Sequence, residues 1–313
     1  MPKKTTSITP ILLVTLVAMV GLFVLSLWFS VVSYRLPFLI PLTVLTTLLT
    51  AMVATLPFLY VVRRHPTSLV ISMLGTQAAG KTVYVTVLFN QLSIGHVGGM
   101  TFSQYGSETV EMVHSNLSRL AEGKWLPSTP PLLLFPFRAI VRMGSGFFKS
   151  VYRIEIGDFA GQHMHEFDAS SEHWLHKTKY FDYVIQSDIV FLVIDMALIV
   201  KADRIKTAQL QNAFKAAFQI LLEKKGVQER KKTRTPVAIL LMKSDLCGTS
   251  SAKALFTRAM PELRDLCQNR CAHFAIFPVS SIGKLGKSNS PPQRLKPVGV
   301  VEPLAWALRS VEL

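Results

Sequence analysis

Gly75, Thr76, Gln77, Ala78, Ala79, Gly80, Lys81 and Thr82 follow one another in the pattern G-x-x-x-x-G-K-[ST]. Loops with this spacing wrap phosphate oxygens in successive inward-pointing backbone N–H groups, and their glycines permit both the turn and the close approach. The Lys81 ammonium would reach the outer phosphates, the Thr82 hydroxyl would ligate Mg²⁺, and Val83 completes the set. A chance glycine-rich turn can carry the same letters, so the flanks decide. Residues 68–74 are a short apolar, β-branched run, and residues 83–92 carry apolar side chains at helical spacing. Strand, loop and helix in that order are what the phosphate chemistry requires.

Three further groups of residues follow strand-like runs. Asp158 and Gly161 stand in a D-x-x-G pattern with Gln162 next in line, after the alternating stretch 150–156. A carboxylate there can support a phosphate-bound Mg²⁺, and the glycine N–H can meet a terminal phosphate. Lys243 and Asp245 follow the apolar run 236–242. This is K-x-D, in which the carboxylate accepts from guanine's N1–H and 2-amino group while the lysine stem packs on the ring. Met242 takes the place of the Asn or Thr that completes [NT]-K-x-D, which keeps ATP open as an alternative to GTP. Ser280, Ser281 and Ile282 end the run 274–279, and small residues there would let backbone approach a base.

The elements that position these groups read as α/β. Residues 188–195 and 236–242 are apolar without alternation, as strands of a parallel sheet buried on both faces must be. Residues 150–156 alternate and read as an edge-side strand; the apolar run 132–141 precedes them, and 95–106 reads as a glycine-rich loop. Helices are expected over 108–122, 208–225 and 251–268, with a terminal helix over 301–311 covering the sheet edge. The fold class is a three-layer P-loop NTPase domain with a mostly parallel sheet, over residues 63–313.

A transmembrane hairpin is expected before it. Residues 11–32 and 36–62 are two uncharged apolar runs, each long enough to span a bilayer, behind a short N-terminal segment 1–10. Lys3 and Lys4 precede the first, and Arg63, Arg64 and His65 follow the second, so the positive-inside rule puts both ends in the cytoplasm. The net charge of +15 favours an anionic partner, with the lipid bilayer the simplest. The basic run 224–234 lies between a helix and a strand and reads as a solvated loop or a headgroup contact; no nucleic-acid motif accompanies it. Cys247, Cys267 and Cys271 are an odd set without metal spacing. His163, His165, His173 and His176 lack the carboxylate pattern of a zinc site.

With P-loop, D-x-x-G-Q, K-x-D and Ser-Ser in order, residues 68–313 resemble a TRAFAC-class, Ras-like GTPase domain. The segments 79–84, 125–130 and 302–306 are similar, more narrowly, to the bacterial double-GTPase family. The resemblance implies Mg²⁺ and GTP as ligands and slow hydrolysis as a conformational switch, with Gln162 orienting the attacking water. It also implies a switch threonine closing on Mg²⁺ and the γ-phosphate. Thr129 is the first choice for that role, with Thr101 and Ser128 as alternatives. Implied partners are a second GTPase or an activating protein, with a nucleotide-dependent dimer, at a bacterial inner membrane. The competing readings are a nucleotide-gated membrane scaffold with little turnover and a P-loop ATPase.

Overall fold

The computed structural model describes residues 66–95, 99–127, 135–144, 150–158, 179–201, 203–285 and 290–312, together with Gly21. The chain divides into two compact units, Met1–Pro66 with Ser145–Val151 and Thr67–Gly144 with Tyr152–Leu313. The first contains the two apolar runs 11–32 and 36–62, which apart from Gly21 lie outside the described residues. Among the described residues no helix is long and apolar enough to cross a membrane.

The second unit is built on a seven-stranded sheet. Its elements are, in chain order, β1 (Thr67–Gly75), α1 (Lys81–Ile94), β2 (Met100–Gln104), α2 (Ser107–Ala121), β3 (Phe135–Met143), β4 (Ser150–Asp158), α3 (Lys179–Gln186), β5 (Ile189–Asp195), α4 (Met196–Val200), α5 (Arg204–Lys224), β6 (Val237–Met242), α6 (Ala252–Ala259), α7 (Pro261–Arg270), β7 (Phe274–Val279) and α8 (Glu302–Glu312). The spatial order is β2-β3-β4-β1-β5-β6-β7. β1 pairs in parallel with β4 and β5, β5 with β6, and β6 with β7, whereas β2 and β3 are antiparallel. The fold is therefore mixed α/β with a mostly parallel sheet.

Period-two side-chain alternation splits the central strands between two cores. Ile189, Phe191 and Val193 of β5, with Ala238, Leu240 and Met242 of β6, face a core shared with α1, α2 and α8. Val190, Leu192 and Ile194, with Val237, Ile239 and Leu241, face a second core built by α3 to α7. Both faces of β5 and β6 are buried, which is why their sequences are apolar without a break. Each fully buried aliphatic or aromatic side chain here contributes about 1.5–3 kcal/mol over leaving it exposed. Buried polar contacts fix local register: Asn116 Nδ2 donates to Thr86 Oγ1 at 3.0 Å, tying α2 to α1.

Four expectations are corrected. The stretch 95–106 is not all loop, because Met100–Gln104 forms β2 against β3, with Phe102 opposite Val141. A five-residue strand among glycines has no periodic signal of its own, and its partner decides it. β4 is not at an edge, since it lies between β3 and β1. Its alternation arises because Tyr152, Ile154 and Ile156 face the first core, while Glu155 on the other face accepts from Arg138 Nε at 3.0 Å. The helix expected over 251–268 is two helices that meet at Met260–Pro261. Proline lacks the N–H that would continue the first helix, pushes its predecessor toward extended conformations, and suits the first turn of the second. The terminal helix does not cover the sheet's edge. Leu304, Ala305, Ala307 and Leu308 pack in the core on its face, with Trp306 against Phe277 at 5.7 Å between ring centroids.

Candidate functional site

Every parallel strand of such a sheet ends at the same edge, where the loops that follow can combine. β1 runs straight into the loop 75–82. Gly75 lies so close to β5 that an added β-carbon would stand 2.7 Å from Val193 Cβ and 2.8 Å from Val193 O. Ala78 (φ 58°) and Gly80 (φ 91°) both turn left-handed, which folds the backbone into a concavity of N–H groups. Gly80 then starts α1 with no side-chain cap and no acidic residue in the first turn. The orphan N–H groups and positive dipole end of α1 are therefore left for an anion. Lys81 is buried, and its Nζ donates to Gly75 O at 2.8 Å and Thr76 O at 2.9 Å, holding the ammonium across the loop. Thr82 and Val83 follow, half-buried, in the first turn of α1.

β6 supplies the second loop. Met242 is buried, and its methyl carbon would meet a β-carbon built on Gly80 at 3.7 Å. Lys243 takes a left-handed conformation (φ 58°), and its Nζ donates to Ala78 O at 3.0 Å. The missing Asn or Thr thus leaves no gap between the two loops: Met242 packs beneath the phosphate loop and Lys243 hydrogen-bonds to it. Asp245 lies in the first turn of the short 3₁₀ helix Ser244–Cys247, and its Oδ1 accepts from Ser280 Oγ at 2.6 Å.

β7 supplies the third. Ser280 Oγ also accepts from Gly283 N at 3.2 Å, and the loop is closed by reciprocal backbone bonds of Ser280 with Val298 at 2.9 and 2.8 Å. Ser281 and Ile282 are buried beside it. Three loops that are far apart in sequence, 75–82, 243–245 and 280–282, are thus joined at one edge by named hydrogen bonds.

One residue of this network has no counterpart among the sequence motifs. Asp195 ends β5, and its Oδ1 caps α4 by accepting from Ala197 N at 2.9 Å. Its Oδ2 receives the Lys243 ammonium at 2.6 Å, with the carboxylate side chain 10% exposed and the lysine 37%. The available signal was a lone carboxylate directly after six apolar strand residues.

Asp158 is the last residue of β4, and Gly157 pairs with Ser72 of β1, so the chain leaves β4 beside the phosphate loop. Thr129, Gly161 and Gln162 lie outside the described residues, as does the histidine group 163–176. No group of His, Cys, Asp and Glu that could hold a metal by itself occurs among the described residues. The three cysteines are free and buried; burial lifts the Cys267 thiol far above its ordinary range and the Cys271 thiol to about 12.

No family model matches the chain, and no curated protein matches it. Two solved structures with bound guanine nucleotide or analogue align with it. The Arl6 (BBS3) small GTPase of Trypanosoma brucei, with bound GppNp, aligns at 16% identity and TM-score 0.42, over 79% of this chain and 98% of that one. The Roco2 RocCORdC structure of Methanosarcina barkeri, bound to GDP, aligns at 13% identity and TM-score 0.35, over 79% of this chain and 50% of that one. At these identities and scores neither likeness assigns an activity to this chain.

Proposed function

We propose that this chain is a membrane-tethered GTPase whose output is a nucleotide-dependent conformational switch. The observation that carries the reading is the joining of the three loops. Lys243 Nζ on Ala78 O at 3.0 Å and Ser280 Oγ on Asp245 at 2.6 Å connect a phosphate cradle to a carboxylate suited to guanine. An adenine lacks the N1–H and 2-amino donors that Asp245 would receive. Lys81 and the loop amides would bind and orient the phosphates, and Asp245 with the 280–282 backbone would fix the base.

The hard oxygen donors of Thr82, at the start of α1, and Asp158, at the neighbouring end of β4, suit Mg²⁺. When bound, that ion neutralises charge on the outer phosphates. Thr129 and Gln162 remain candidates by pattern for switch closure and water positioning. The two apolar runs would hold the domain at a bilayer from the cytoplasmic side. Partners suited to such a switch are an activating protein or a second GTPase.

The test is a titration of the purified full chain with fluorescent GTP and ATP analogues in Mg²⁺, followed by turnover measurements. Tight GTP binding, weak ATP binding and turnover that Gln162→Ala abolishes would support the reading. ATP binding as tight as GTP binding would sink the guanine assignment. Binding without turnover, even with partners added, would sink the enzyme.

A further inference from the structure

The opposite edge of the sheet carries a second charged surface. Where α5 ends, the chain turns tightly: Gly226 N donates to Glu223 O and Val227 N to Leu222 O. Lys224 closes α5, and after the turn the chain runs through Glu229, Arg230, Lys231, Lys232 and Arg234 before entering β6. All five basic side chains, Lys224 included, are exposed, and none forms a salt bridge to a carboxylate among the described residues. The loop is nonetheless built. Thr233 is buried and donates its N–H to Arg270 O at 2.8 Å, and Arg270 Nη2 donates to Gln228 O at 3.2 Å. Lys231, Lys232 and Arg234 line an open depression of about 490 Å³.

Its position follows from strand direction. β1, β5 and β6 are parallel, so they all begin at this edge. Of these three β1 reaches furthest: its pairing with β5 starts at Ile71 opposite Ile189, leaving Thr67 to Val70 to extend beyond β5. The loop is bonded next to that extension. Lys225 Nζ donates to Ser187 O at 2.7 Å, and the following Asp188 exchanges hydrogen bonds with Val70 at 2.8 and 2.9 Å. Only residues 63–66 separate the end of the second apolar run from Thr67, and four residues reach at most about 14 Å when fully extended.

We infer that the 224–234 loop is a docking surface for anionic phospholipid headgroups, on the membrane that holds the apolar runs. The inference rests on the membrane-tether reading above. The phosphate-loop edge is the opposite end of the same strands, so a sheet docked this way stands with its nucleotide site turned away from the bilayer and open to soluble partners. Each basic residue near a negatively charged leaflet strengthens association by about fivefold, an effect that salt screens.

The test uses the full chain with a fluorophore at Gln228→Cys, the native thiols being buried. It is reconstituted in phosphatidylcholine vesicles with or without phosphatidylglycerol, each containing headgroup spin-labelled lipid as quencher. The expected result is quenching that requires phosphatidylglycerol, falls in high salt and is lost in Lys231→Glu/Lys232→Glu/Arg234→Glu. The corresponding glutamine variant should lose less. Resistance to alkaline carbonate extraction reports the tether separately and should not change between variants. Quenching that ignores phosphatidylglycerol or the substitutions, in a carbonate-resistant protein, overturns the docking surface and leaves the tether. If carbonate releases the protein, the tether reading falls, and co-sedimentation with preformed phosphatidylglycerol vesicles decides: charge-dependent binding upholds the surface, and its absence overturns it. Binding of mixed-sequence duplex DNA that abolishes this quenching in competition and is itself lost in Lys231→Glu/Lys232→Glu/Arg234→Glu would make this a nucleic-acid face and also overturns the inference.

Discussion

The two edges of the sheet use charge in opposite ways. At the ends of the parallel strands every basic side chain of the site is held: Lys81 by two loop carbonyls, and Lys243 by Ala78 O and the Asp195 carboxylate. At their beginnings, five cations of the segment 224–234 stand exposed, none in an ion pair with a carboxylate among the described residues. Held charges lose little further freedom when a ligand arrives and can discriminate by geometry, as a nucleotide site requires. Free charges act through summed potential and tolerate many anionic surfaces, at the cost of sensitivity to salt. On the proposed reading, one domain separates recognition from attachment by placing them at opposite ends of the same strands.

Substitutions at the held edge should have steep, specific effects, and the steepest concerns the base. Asp245→Asn should reverse preference from GTP to xanthosine triphosphate by about a hundredfold, because an acceptor for two base donors becomes a mismatched amide. Competition binding with both nucleotides measures it, and unchanged preference would remove Asp245 from the site. Lys81→Ala should weaken Mg-nucleotide binding roughly tenfold to a hundredfold through lost charge-assisted hydrogen bonds. Retained affinity in the same titration would mean that the ammonium stays on its loop carbonyls.

Gly75→Ala should destabilise the fold by about 1–3 kcal/mol, since its β-carbon would press on Val193 where β1 and β5 are locked together. A denaturation midpoint equal to that of the parent would contradict this packing. The smallest effect is expected at Asp195→Asn, which keeps a cap for α4 but loses the ion pair. Lys243 is more than a third exposed, so screening limits the loss to roughly 1 kcal/mol, or about fivefold in nucleotide affinity. A double-mutant cycle with Lys243→Gln should be non-additive; additive losses would show that the pair does not position the lysine.

Much of this was legible in the chain. The strand, loop and helix around residues 75–82 were legible because such a turn needs glycines at fixed intervals between two apolar runs, and the unbroken apolar runs of β5 and β6 required a parallel sheet covered on both faces. The break between α6 and α7 was also written there, in Pro261, although helical periodicity on both sides concealed it. β4 misled because alternation reports one polar face, and the interior position of that strand depends on β3. β2 carried no local signal, since five residues between glycines are stabilised only by the strand they meet.

The sequence by itself determined the local motifs of this protein: a G-x-x-x-x-G-K-T loop, a K-x-D carboxylate, two apolar runs and a basic segment, each encoded by residue types at short spacing. Only the tertiary structure decided how they are arranged. It placed Asp195 on Lys243, put Met242 beneath Gly80 in place of a polar tie, and sent the basic loop to the edge where β1 begins. The physical reason is that motifs depend on local backbone geometry, whereas these contacts join residues brought together only when the parallel strands set their register.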